Sequence, residues 1–101
     1  MSLTIPTSAP RGMSLRERYD EKRIGDTVLY DITVQAATSL SSLFVKRQLT
    51  AATEQDREHW AARARLVARQ RAALNPGDRA ELIAQQEAWL EEIENLAGRN
   101  A

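Results

Sequence analysis

From residue 26 onward, apolar residues recur three or four positions apart, the spacing of one face of a helix. Val28, Ile32, Ala36, Leu40 and Leu43/Phe44 mark the first such line. Trp60, Ala64, Val67, Arg71 and Leu74 are the inward positions of a second, and Leu82, Gln86, Trp89, Ile93 and Leu96 of a third. The first line has a rival reading, because Tyr30, Ile32 and Val34 alternate as in a strand and the segment is rich in β-branched residues. A strand needs a neighbour for its backbone hydrogen bonds. The only other strand-like piece, Leu3-Thr4-Ile5, ends at Pro6. Helix is therefore the reading adopted.

Local signals set the boundaries. Ser14-Leu15-Arg16-Glu17 fits a capping box, opening a mostly charged helix with Leu15, Tyr19 and Ile24 as a thin apolar line. Gly25 and Asp26 interrupt it. Thr53 with Asp56, and Asp78 with Glu81, open the last two helices. Asn75-Pro76-Gly77 is a turn, and Gly98 is expected as a C-terminal cap. Residues 1–13, with Pro6, Pro10 and Gly12, lack apolar periodicity and are expected to form a disordered tail. The expected fold is all-α, one domain over 14–98 with helices near 14–24, 26–47, 53–74 and 78–97. Short connections make the long helices antiparallel neighbours, an up-down-up three-helix bundle preceded by the charged N-terminal helix.

Composition narrows the function. The 101 residues carry 14 basic and 14 acidic side chains, one histidine and no cysteine. A nucleic-acid binder needs an excess of cations, so that partner is not expected. Disulfides and thiolate chemistry are excluded, and a zinc site with His59 as its sole nitrogen ligand is disfavoured. Met1 to Pro6 has no basic start followed by an apolar run, so a secretion signal is not expected. The uncharged stretch Ile32 to Val45, fourteen residues rich in Ser, Thr and Gln, is too short and polar to span a bilayer. The expected location is the cytoplasm.

Candidate chemistry is thin. His59 has only Asp56 and Arg63 at helical neighbour spacing, and no glycine-framed turn presents a nucleophile. Glu87 and Glu91 lie one turn apart but read as an exposed charged face. The basic run Arg63 to Arg71 lacks interleaved aromatics. Thr50-Ala51-Ala52-Thr53-Glu54-Gln55 resembles the inhibitory motif of antitoxins for Fic-type transferases, departing from it at Gln55. No catalytic, metal or cofactor site is assigned, so an enzyme is the least expected class.

The distribution of charge and grease points to binding instead. In the expected bundle Glu54, Asp56, Glu58, Glu91, Glu92 and Glu94 gather at one end, partly offset by Lys46, Arg47 and Arg57. The opposite end gathers Arg16, Arg18, Lys22 and Arg23 with Arg69 and Arg71, and such separation steers encounters with a charged partner. The helix over 26–47 carries a second apolar line, Tyr30, Val34, Ala37 and Val45, beside the first. A helix apolar on most sides is buried on most sides. Either the leading helix folds back over what the bundle leaves, or a partner covers it, with Tyr30, Val34 and Phe44 as anchors.

The run Ser14 to Arg23, followed by an uncharged helix and an acidic-basic hairpin, resembles the small three-helix antitoxins that accompany zeta-type P-loop kinase toxins. The likeness covers roughly residues 14–97 and is one of size, helix order and texture. It implies a protein that binds its toxin in a hetero-oligomer and blocks nucleotide access with its first helices. Glu17, Tyr19, Asp20, Glu21 and Arg23 would then reach toward the toxin, the carboxylates pairing with phosphate-binding cations. A homodimer is a further option. Two other readings stay open. One is a secreted helical hairpin of the Trp-x-Gly type, although the turn here is Asn75-Pro76-Gly77. The other is a DNA-binding regulator.

Overall fold

The computed structural model describes Glu17 and residues 24–100, with side chains as far as Gly98. The expected tail over 1–13, and all of the expected helix over 14–24 except Glu17 and Ile24, lie outside the described residues. Three helices make up the rest: α1, Asp26–Leu49; α2, Glu54–Ala72; and α3, Arg79–Asn100. No strand occurs among the described residues, so the alternation at Tyr30, Ile32 and Val34 belongs to a helix.

Each boundary has a local cause. Gly25 caps α1 without a side chain, its carbonyl accepting from Leu29 N at 2.9 Å. At the other end Thr50 donates from both N and Oγ1 to the Lys46 carbonyl. The Thr53 hydroxyl accepts from Asp56 N at 3.0 Å, which satisfies one of the orphan donors that open α2. Between α2 and α3, Asn75 Oδ1 accepts from Gly77 N at 2.9 Å, and Asn75 O accepts from Asp78 N at 3.0 Å. This is a side-chain-braced turn. Asp78 Oδ1 then accepts from Glu81 N at 3.1 Å and opens α3. The cap expected at Gly98 is absent, because α3 continues through it to Asn100.

α1 is the common neighbour. It packs against both α2 and α3, whose backbones make no close approach to one another. The main core joins Ala36, Ala37, Leu40 and Phe44 of α1 to Val67 of α2 and to Trp89 and Leu96 of α3. Trp60, Ala64, Leu74 and Ile93 pack around it. A smaller cluster joins Leu29 to Leu82 and Ile83, with Ile24, Tyr30 and Leu74 at its edge. Burying each of the larger side chains contributes about 1.5–3 kcal/mol.

The buried stripe of α1 departs from the expected one. Leu29 and Thr33 are fully buried, whereas Val28 is 50% exposed and Ile32 only half-buried. In α2 Arg71 is exposed rather than inward. The α3 positions match expectation: Leu82, Gln86, Trp89 and Leu96 are buried and Ile93 half-buried. Thr33 is tolerated in the core because its hydroxyl donates to Leu29 O at 2.8 Å and lies 3.5 Å from Leu82 O.

Polar contacts tie α1 to its neighbours along its length. Arg79 Nη1 donates to Ile24 O at 2.8 Å and pairs with Asp26 at 3.1 Å. Arg47 Nη2 donates to Leu96 O at 3.1 Å, while its guanidinium sits 5.3 Å from the Trp60 ring centroid. Trp60 stacks on Phe44 at 5.8 Å, and Arg63 lies 5.4 Å from the Phe44 centroid.

Candidate functional site

Because α2 and α3 flank α1 without closing on each other, they leave a groove between them. Its floor is Leu40, Val67 and Trp89, and its walls include Leu66, Gln70 and Gln85, around a volume of about 150 Å³. Long side chains bridge it. Arg63 pairs with Glu92 at 2.8 Å, and Trp89 Nε1 lies 3.4 Å from Gln70 Oε1, which can accept its hydrogen. Leu66 is 38% exposed on one wall. The sequence pattern missed this groove, since it treats the last two helices as direct neighbours. The small Ala88 beside Trp89 is the one signal of room there.

A second concavity lies on the other flank of α2. Tyr30 of α1 and Ala68, Arg71 and Ala72 of α2 line an open trough of about 340 Å³. Tyr30 is half-buried against the smaller core cluster, and Arg71 is exposed. Two alanines a turn apart leave the floor shallow. An aromatic ring and a guanidinium then remain as its two large groups, a pairing suited to a partner's carboxylate or apolar side chain.

The expected partner-binding residues are dispersed. Glu17 is helical and exposed; Tyr19, Asp20, Glu21 and Arg23 lie outside the described residues. Val34 is half-buried one turn beyond Tyr30. Phe44 requires correction as a surface anchor. It is 0% exposed beneath Trp60, where the aromatic stack and the main core occupy its ring. The expected accumulation of acid at one end is also reduced. Glu54 pairs with Arg57, Glu58 with Arg65 at 2.7 Å, and Glu92 with Arg63. Among the described residues no group of three His, Cys, Asp or Glu is placed to hold a metal ion. His59 is exposed, edge-on to Trp60 at 4.7 Å.

α1 keeps apolar surface in solvent. Val45 is 44% and Leu49 78% exposed, besides Val28. The expectation drawn from residues 32–45 alone does not extend to the whole helix: by length and composition α1 could cross a membrane, and 33% of its most apolar window is buried in the bundle. A core helix of a small bundle passes the same test, and Leu29, Leu40 and Phe44 are core residues here.

No protein-family model, no curated protein and no solved structure matches the chain significantly.

Proposed function

We propose that the chain is a non-enzymatic protein-binding module, built as an up-down-up bundle and acting in the cytoplasm. The paired contacts favour that arrangement. Phe44 with Trp60 and Tyr30 with Ala72 run α1 against α2, while Asp26 with Arg79 and Arg47 with Leu96 run α1 along α3.

One observation carries the binding reading: α1 is more apolar than its own bundle covers. Leftover apolar surface on a helix gives a partner something to bury, and a concavity gives it a place to seat. Tyr30 and Val34, beside the Arg71 trough and shortly after the charged run 16–23 in sequence, are the contact residues on this reading.

The specific form proposed is an antitoxin that neutralises a kinase-type toxin by blocking its nucleotide site, with Glu17, Tyr19, Asp20 and Glu21 reaching the phosphate pocket and Arg23 among the other toxin-contacting residues. This rests on the texture of residues 14–97. The test is to mix the full chain with the product of the adjacent gene, measuring complex formation by sedimentation and the nucleotide-dependent activity of that product. A complex with lost activity is the expected result. A complex with activity intact overturns the antitoxin form but keeps the binding module. No complex, together with flotation of the chain on lipid vesicles, overturns both.

A further inference from the structure

The outward face of α1 has an order that its burial does not explain. Val28 and Leu49 stand exposed at its two ends. Asp31 and Lys46 come next, both exposed and neither in an ion pair among the described residues. Between these two charges α1 has none, and its outward positions are Gln35, Thr38, Ser39, Ser42 and Val45. At 3.6 residues per turn all of these positions fall on one side of the helix, away from Leu29, Leu40 and Phe44.

The order is a palindrome about the midpoint of Thr38 and Ser39. Laid antiparallel on its own copy about that point, α1 sets Asp31 of each chain opposite Lys46 of the other. Gln35 then meets Ser42, Thr38 meets Ser39, and Val28 meets Leu49. We infer that this face pairs two copies of the chain through an antiparallel α1–α1 contact, a two-fold self-complementary interface.

Charge chooses the direction. A parallel pairing would set Asp31 on Asp31 and Lys46 on Lys46, and would align the two helix dipoles unfavourably. The antiparallel pairing forms two opposite-charge contacts and opposes the dipoles. Small side chains at the centre allow close helix approach. Thr38 already donates its hydroxyl to Val34 O at 3.1 Å, so it needs no partner across the interface. One helix face makes a contact at the low end of stable interfaces, so the dimer is concentration-dependent. The face lies on a different side of α1 from the Tyr30–Arg71 trough, and it assigns Val28 and Leu49, part of the uncovered apolar surface of α1, to a second copy of the chain.

Sedimentation equilibrium of the full chain over a wide concentration range is the experiment. The wild type is expected to shift reversibly from monomer to dimer. Asp31→Lys and Lys46→Asp, both at exposed positions, each weaken self-association by roughly tenfold or more while circular dichroism stays unchanged. Mixing these two variants restores the dimer, because one then carries only lysine and the other only aspartate at the two facing positions. The chain has no native cysteine, so geometry can be read by oxidation. Ser39→Cys, near the two-fold axis, forms a disulfide-linked dimer, whereas Ser42→Cys, displaced from the axis, does not. A wild type that stays monomeric at every concentration overturns the inference. So does a dimer indifferent to both charge reversals, a mixture no stronger than its components, or ready crosslinking through Ser42→Cys.

Discussion

Leu40 shows how one residue serves the whole bundle. It is 2% exposed and lies in the main core, where it also forms the floor of the groove between α2 and α3. Truncation there leaves a void that three helices would have to close together. Leu40→Ala is therefore expected to cost about 2–5 kcal/mol in urea unfolding with little change in the denaturant slope. At this scale the sequence was only partly legible. In α3 the inward positions Leu82, Gln86, Trp89 and Leu96 stand out because they recur at helical spacing while Glu81, Glu87, Glu91 and Glu94 mark the other faces. In α1 Val28, Leu29, Tyr30, Ile32 and Val34 are all apolar, so more than one stripe fits. Neighbouring helical positions point about 100° apart, and the structure buries Leu29 where spacing alone favoured Val28.

Elements are where sequence and structure agree most closely, because caps are local chemistry. Thr53 and Asp78 act as read, each accepting from a backbone N–H three residues on. Thr53→Ala is expected to destabilise the protein by about 1 kcal/mol, with Thr53→Asp restoring most of the loss; thermal melts followed at 222 nm check it. Gly98 is the counter-case. As a sequence signal it marks a stop, yet it lies within α3, with nothing near enough to obstruct an added methyl group. Gly98→Ala should therefore stabilise the protein slightly, by about 0.5 kcal/mol near this terminus. A residue needed to terminate the helix would instead lose stability on that change, so the sign of the shift in the same melts decides between them.

For the whole molecule, the consequence is that α1 organises everything else. α2 and α3 meet through side chains such as Arg63–Glu92 rather than through close backbone packing, and each buries its apolar face on α1. A fragment spanning residues 53–100 should accordingly lack a cooperative melt and show low helicity, since isolated helices of this length are marginal in water. A fragment that melts cooperatively as a monomer would show that the last two helices form a hairpin without α1. The same organisation makes the fate of α1's outer face a question for the assembled protein.

The sequence by itself determined the all-helical character of the described region, its three long helices, and the caps at Thr53 and Asp78. Each of these is a matter of spacing or of contact between residues a few positions apart. Only the tertiary structure decided that Leu29 rather than Val28 faces inward, that Phe44 lies beneath Trp60, and that α2 and α3 stand apart around a groove. Those outcomes depend on which helix meets which, and at what distance. A periodic pattern records that an apolar face exists but not what covers it.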